Sequence, residues 1–120
     1  SPRADGHDKV ICYEGEVLTV VLNDPDSDNA LGIEMLSELN QIFSKASKPI
    51  HLKANGRNFC FGAKVSEMEN FMKGLELFGN LYSALLAYEH PIIVTCHGNT
   101  YGGGMLFPCL ADIVVAQDSA

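Results

Sequence analysis

Short apolar runs separated by turn residues dominate the chain. Residues 9–23, "KVICYEGEVLTVVLN", predict two strands on either side of Glu14-Gly15, with β-branched side chains in the second. Residues 50–54 predict a short third strand. Two later runs, "IIVTC" and "ADIVVA", are apolar on both faces and predict buried strands.

Two longer stretches show helical spacing instead. In residues 33–46 the apolar side chains recur every three or four positions, and Pro49 follows as a stop signal. Residues 66–89 predict a second helix, with Gly74 and Gly79 as candidate breaks and His90-Pro91 at its end. Alternating strands and helices predict an α/β fold with parallel pairing, formed by residues 10–120 after a flexible leader, residues 1–9.

Composition narrows the functional class. The 120 residues are 47% hydrophobic and 19% charged, which is typical of one globular domain. No apolar run reaches the ~18 residues of a membrane span, and no signal leader is recognisable, so the expected location is cytoplasmic. A net charge of −7 with eight Lys and Arg argues against nucleic-acid binding. The four cysteines form no CxxC pair and predict reduced core thiols, with no metal site.

Two glycine-containing loops carry the candidate chemistry. Phe61-Gly62-Ala63 and Gly102-Gly103-Gly104 each lead from a strand into a helix, at the sheet edge where α/β proteins bind ligands. Bare amides from both loops, aimed at one oxygen, would make an oxyanion hole worth roughly 3 kcal/mol per donor. A tight packing turn is the alternative interpretation of three glycines. Neither GxGxxG nor GxxxxGK[ST] is present, which argues against dinucleotide and P-loop phosphate binding.

The order of three motifs, "VLNDPDSDNAL", "NFCFGAKVSEM" and "HPIIVTCHGNTYGGG" followed by "ADIVVA", resembles the enoyl-CoA hydratase/isomerase (crotonase) superfamily. The resemblance runs from about Val10 to the chain end and implies a crotonase-like ββα spiral, truncated before the C-terminal helical region. It implies that the amides of Ala63 and Gly103 hold a thioester oxygen, with Phe61, Gly62 and Gly102 binding substrate beside them.

The stretch "NLYSALLAYEHPIIV" is also similar to the polyketide β-branching members. Leu106 stands where hydratases carry a water-handling glutamate, and a second such glutamate falls beyond the region covered. We therefore expect decarboxylation of a 3-methylglutaconyl-type thioester rather than hydration. Some relatives use a lysine on the helix that follows the first oxyanion loop, and Lys73 is its nearest match in this chain. The alternative interpretation of Lys73 is an ordinary lysine on the protein surface. Leu106 and Tyr82 are expected to line the substrate pocket.

The loop before "NAL" bears on what carries the acyl group. Relatives often have cations there, whereas this chain has Asp24, Asp26 and Asp28. Such carboxylates would repel free coenzyme A, so we expect the substrate on the phosphopantetheine of an acyl carrier protein and no separate cofactor. Carrier proteins are themselves acidic, which makes this acidic chain a poor electrostatic match. Lys64 is interpreted as a loop-surface charge, and His97 as structural.

The chain covers about half of a usual family member. The apolar final strand would lie near an open sheet edge, so we expect a homo-oligomer, in the first instance a dimer. Two alternatives to a decarboxylating lyase stay open. One is a catalytically degenerate module that dimerises or docks a carrier protein within a synthase. The other is a dehydratase or isomerase of the same pathway that borrows its acid or base from a partner chain.

Overall fold

The computed structural model describes residues 8–64 and 71–117. In these ranges the chain forms five strands, three α-helices and two short 3₁₀ turns, Pro25–Ser27 and Gly102–Met105. The longer elements, in chain order, are β1 Val10–Tyr13, β2 Leu18–Leu22, α1 Ile33–Lys45, β3 Ile50–Ala54, α2 Phe71–Ala87, β4 Ile92–Cys96, α3 Leu106–Leu110 and β5 Ile113–Ala116.

The strands form a single mixed sheet in the order β1-β2-β3-β4-β5. β1 and β2 are an antiparallel hairpin, and every later pair is parallel. Leu18 lies opposite Ile50, and Ile50 lies opposite Ile92, so β2, β3 and β4 run side by side in matched register. The predicted α/β fold with parallel pairing is confirmed, and the loops that follow these three strands leave from the same edge.

The hydrophobic core joins one face of the sheet to α1 and α2. The apolar positions of α1 recur at helical spacing, and its side chains at Met35, Leu36, Leu39 and Phe43 are buried. They meet β-strand residues such as Val20, Leu52 and Val94, each fully shielded from solvent. Burying one such side chain stabilises the folded protein by roughly 1.5–3 kcal/mol. The helical spacing of the apolar residues in α1 therefore favours a helix in this segment.

The second helix ends earlier than the sequence indicates. It is continuous from Phe71 to Ala87, so neither Gly74 nor Gly79 interrupts it, and it ends three residues before His90. Leu77, Leu81 and Leu85 are buried along one side, and this packing offsets the ~1 kcal/mol by which each glycine disfavours a helix. Predicted positions 66–70 lie outside the described residues.

The prediction that the final strand is buried is wrong. All four residues of β5 are exposed, and Ile113 retains 53% of its accessible surface. β5 is the last strand of the sheet and pairs only with β4 among the described residues. Apolar composition indicates burial only when another layer covers the strand, and within residues 8–64 and 71–117 none does.

The prediction of four core thiols holds only for Cys60, which is fully buried. Cys12 and Cys109 are exposed and Cys96 is half-buried, although all four are free thiols. Of the predicted leader, residues 1–7 lie outside the described part, whereas the carbonyl groups of Asp8 and Lys9 accept hydrogen bonds from Asn23.

Candidate active site

Three loops meet at the carboxyl ends of β2, β3 and β4. A parallel bridge pairs Leu31 in the first loop with Ala63 in the second, and another pairs Cys60 in the second with Thr100 in the third. The two glycine loops therefore lie side by side, as the sequence predicts. Parallel strands deliver their following loops to one edge, which is the physical reason for this convergence.

A buried asparagine joins the first two loops. The Asn29 side chain is fully buried; its Oδ1 accepts a hydrogen bond from the Asp24 amide at 2.7 Å. Its Nδ2 donates to the main-chain oxygens of Asn55 and Asn58, at 2.8 and 3.0 Å. Asn29 also has a φ of 56°, a left-handed conformation that asparagine tolerates better than most residues.

Asn58 extends this network to the third loop. Its Nδ2 donates to Asp28 at 3.0 Å, and its Oδ1 accepts the Asn99 amide at 2.9 Å. Sequence reasoning missed both Asn29 and Asn58. The only available signal is an uncharged amide next to an apolar residue just after a strand, which also describes many exposed turn residues.

The glycines allow the two loops to touch. A Cβ on Gly62, whose φ is +82°, would lie 2.9 Å from the Gly103 nitrogen and 3.0 Å from the Tyr101 oxygen. A Cβ on Gly104 would lie 2.6 Å from the Cys60 oxygen. The separations of 2.9 and 2.6 Å are shorter than real Cβ contacts, so each of the two positions needs a residue without a side chain.

Ala63 and Gly103 both line the same cleft. On either side of Ala63, the Leu31 amide donates to the Gly62 oxygen at 2.5 Å and the Lys64 amide donates to the Leu31 oxygen at 3.2 Å. Successive amides in such a segment point to opposite sides, so the Ala63 N–H is directed away from Leu31. Gly103 is the second residue of a 3₁₀ turn, before the first internal hydrogen bond. Within the part of the chain that the structure describes, neither N–H donates a hydrogen bond.

The cleft has a volume of about 250 Å³ and is almost entirely apolar. Lys64 is the one charged residue among its described lining. Unpaired amide donors in apolar surroundings act strongly on a developing oxyanion, because little water competes for it. The lining residues are Leu31, Gly32, Ile33, Leu36, Ala63, Lys64, Phe71, Gly74, Leu75, Phe78 and Gly103.

Lys64 and Asp24 form an ion pair, Nζ to Oδ2, of 3.1 Å. The interpretation of Lys64 as a loop-surface charge is therefore wrong, since its side chain is only 23% exposed. The interpretation of Asp24 as a repelling charge is also wrong, because Asp24 is buried and Lys9 is a second partner at 3.4 Å. Burial alone raises the pKa of Asp24, but hydrogen bonds from Ser27 and Lys64 and the charges of both lysines outweigh it and lower the pKa.

Two other predicted site residues lie on α2, and neither lines the cleft. Lys73 precedes the lining residue Leu75 by two positions, about 160° around the helix. Its side chain is 56% exposed and lies 3.8 Å from Glu76, which matches the surface-lysine alternative. Tyr82 is one turn beyond Phe78 and is 46% exposed. The side of α2 on which these residues lie depends on where the helix begins, and the sequence pattern predicts that starting residue poorly.

The remaining predicted residues surround the loops. Leu106 is buried in the hydrophobic core and does not line the described cleft. The Phe61 and Tyr101 rings lie edge to face at 4.8 Å and bridge the two glycine loops. Gly102 has a φ of +53°, and a Cβ added to it would meet no atom within 4 Å. His97 binds the Gly56 oxygen at 2.7 Å, consistent with a structural role.

The described residues do not favour a cysteine nucleophile or a metal centre near the cleft. Burial raises the pKa of Cys60 to about 11, so its thiol stays protonated near neutral pH and is a poor nucleophile. Among residues 8–64 and 71–117, no group of three or more His, Cys, Asp and Glu side chains is placed to hold a metal ion. No helix in these ranges is long and apolar enough to cross a membrane.

Comparison with known proteins identifies relatives. The family model for enoyl-CoA hydratase/isomerase matches residues 13–120. The short-chain-enoyl-CoA hydratase of Clostridium acetobutylicum is 30% identical over 118 residues, which cover 89% of this chain and 45% of the relative. The bacillaene synthase decarboxylase PksI of Bacillus subtilis is 29% identical over 114 residues, covering 89% and 46%.

A solved structure shows the same fold. The crystal structure of the enoyl-CoA hydratase of Mycobacterium smegmatis superimposes with a TM-score of 0.84 at 26% identity, covering 90% of this chain and 47% of that one. The crotonase-like fold expected from the motifs is confirmed. This chain spans about half the length of the proteins that it matches.

Proposed function

This chain belongs to the enoyl-CoA hydratase/isomerase family, and we propose that it is a decarboxylating lyase of polyketide β-branching. Its substrate is a 3-methylglutaconyl-type thioester on an acyl carrier protein. The observation that carries the proposal is the pair of unpaired amides, Ala63 and Gly103, at one apolar cleft.

The proposed reaction needs stabilisation of negative charge above all. The thioester oxygen accepts hydrogen bonds from both amides while the bond to the substrate carboxylate breaks. CO₂ leaves, and the bonding electron pair spreads through a dienolate onto the thioester oxygen. Carbon then takes up one proton from solvent, which restores the neutral thioester. Each amide donor contributes about 3 kcal/mol to lowering this barrier.

Hydration is less well supported by the local chemistry. Adding water requires a base within hydrogen-bond reach, and the described lining of the cleft contains no carboxylate. Leu106, at the position where the resemblance places a hydratase glutamate, is buried in the core. The near-equal identity to a hydratase and to PksI does not distinguish the two reactions, whereas the residues of the cleft do favour one of them.

The acyl group is proposed to arrive on phosphopantetheine, without a separate cofactor. Asp26 is exposed, and Asp28 lies in the same loop, so both add negative charge near the loop that relatives use for coenzyme A phosphates. The protein is further proposed to act as a homo-oligomer, because Ile113, Val114 and Val115 expose apolar surface at the sheet edge.

A non-catalytic module that docks a carrier protein is the second candidate. It is favoured by the position of Lys73, which is outside the described lining of the cleft and so does not supply the lysine that some relatives use. The cleft would then hold an acyl chain without transforming it. The two candidates make opposite predictions for turnover.

The test is CO₂ release from a 3-methylglutaconyl thioester on carrier protein. Gly103→Pro removes one amide donor and should slow release about a hundredfold or more. Gly103→Ala is the matched control, because it adds the same Cβ, 3.0 Å from a Phe78 ring carbon, but keeps the N–H, and it should slow release less than Gly103→Pro. Hydration of a crotonyl thioester without CO₂ release would contradict the proposal, and binding without turnover would favour the docking module.

A further inference from the structure

We propose that the Asp24–Lys64 ion pair positions the Ala63 amide, so that Lys64 is a positioning residue for enolate stabilisation. The proposal rests on the proposed function, because it concerns the same amide. It assigns a role to a charged pair that the reaction itself does not use. Lys64 directly follows Ala63 in the chain, so the two residues share a peptide bond.

Asp24 is a firm anchor for that lysine. It is 6% exposed, and its amide is held by the Asn29 side chain at 2.7 Å. Its Oδ2 accepts a hydrogen bond from Ser27 at 2.5 Å as well as the one from Lys64 at 3.1 Å. A carboxylate with this many partners has little freedom to follow a moving lysine.

Ala63 is consequently restrained by two different kinds of contact. Main-chain hydrogen bonds to Leu31 hold the peptide groups on either side of it. The side chain of Lys64 then connects the same segment to Asp24, in the loop that follows β2. The main-chain bonds fix the position of the segment, and the ion pair opposes rotation of the peptide about them. Hydrogen bonds weaken steeply with misalignment, so restraining the direction of the Ala63 N–H preserves its strength toward an oxyanion.

Lys9 supplies a matched control. It approaches the other oxygen of the same carboxylate at 3.4 Å, but it lies just before β1 and is not connected to Ala63. Lys64→Met leaves Asp24 with Lys9 and Ser27, and Lys9→Met leaves it with Lys64 and Ser27. Each variant removes one cation from one carboxylate, so the two should change overall stability similarly. Only Lys64→Met should disturb the amide.

The kinetic test compares three variants of the complete protein in CO₂ release. Lys64→Met should lower kcat about tenfold or more with KM nearly unchanged, because misplacement by 1 Å can cost a hundredfold. Lys64→Arg, which keeps a cation of similar reach, should retain most of the rate. Lys9→Met should keep the wild-type kcat. An unchanged kcat in Lys64→Met, a rise in KM alone, or an equal loss in Lys9→Met would each overturn the proposal.

A second readout needs no turnover. In ¹⁵N-labelled protein, Lys64→Met should speed hydrogen exchange of the Ala63 amide relative to Lys64→Arg, which keeps a cation at the same position, whereas Lys9→Met should leave this exchange near wild type. If the wild-type protein releases no CO₂ but this contrast is seen, the proposed function fails and the positioning role stands. If the Ala63 amide responds to neither Lys64→Met nor Lys9→Met, or equally to both, the positioning role fails.

Discussion

Gly62 is the point at which the two loops of the site touch, so a single methyl group there should separate them. In Gly62→Ala the new Cβ would lie 2.9 Å from the Gly103 nitrogen and 3.0 Å from the Tyr101 oxygen. Both atoms belong to the main chain, so no side-chain rotation can relieve the overlap. The loop carrying Gly103 has to move, or the backbone at residue 62 has to leave its φ of +82°.

The expected loss in the free energy of unfolding of Gly62→Ala has two parts. A left-handed conformation costs a residue with a Cβ about 1–2 kcal/mol, and forcing an extra carbon into a packed region costs a further ~1–3 kcal/mol. Gly62→Ala should therefore lower the free energy of unfolding by about 2–5 kcal/mol. Gly102→Ala isolates the first part, because Gly102 has a φ of +53° with nothing within 4 Å of its would-be Cβ.

Urea unfolding of both variants measures the difference. Gly62→Ala should be less stable than Gly102→Ala by about 1–3 kcal/mol, and its rate of CO₂ release should fall because the Ala63 and Gly103 amides no longer converge. Equal free energies of unfolding for the two variants would show that the loops are not in contact at Gly62. That result would refute the close approach on which the proposed oxyanion hole depends.

The other predictions concern the polar network, acid stability, Leu106 and assembly. Asn29→Asp keeps the acceptor but loses both donors to buried carbonyl groups, so urea unfolding should show a loss of about 2–4 kcal/mol; a change below about 0.5 kcal/mol, as at an ordinary surface site, would contradict the network. Because the folded-state pKa of Asp24 is depressed, its stabilisation is complete above the ordinary pKa of 3.8 and is lost as the pH falls through the lower folded value. In Asp24→Asn the melting temperature should therefore fall less steeply as the pH is lowered below about 5. An unchanged dependence of the melting temperature on pH in this acidic range would contradict the pairing of Asp24 with Lys64. Leu106→Glu buries a charge in the core and should destabilise by about 3–5 kcal/mol without creating a hydratase, as thermal unfolding and a crotonyl hydration assay would show. Sedimentation at micromolar concentration should give more than the 13.0 kDa of one chain, and a monomer mass would refute self-association.

Much of the fold follows from local pattern. Strand composition and helical spacing predict the order of elements, and parallel pairing brings the two glycine loops to one edge. The burial of β5 does not follow from pattern, because "IVVA" has the same composition at an edge as in the middle of a sheet. Ile113 is exposed because of its place in the strand order, which is a property of the whole sheet.

Loop position predicts that the two glycine loops meet, whereas the choice of the Ala63 and Gly103 amides comes from the family resemblance. The structure places both residues in the lining of one cleft. Side chains are harder, because a contact such as Lys64 with Asp24 joins residues 40 positions apart. Lys73 shows the related difficulty within a helix, where an error of one or two residues in phase moves a side chain from the cleft to solvent.

Intact-mass analysis of the acylated carrier protein tests the central claim most directly. The carrier, loaded with a 3-methylglutaconyl group, is incubated with the protein and weighed before and after. A mass loss equal to one CO₂ is expected, and the Gly103→Pro variant should fail to produce it in the same time. A mass change equal to one water, or no change with active wild-type protein, would contradict it.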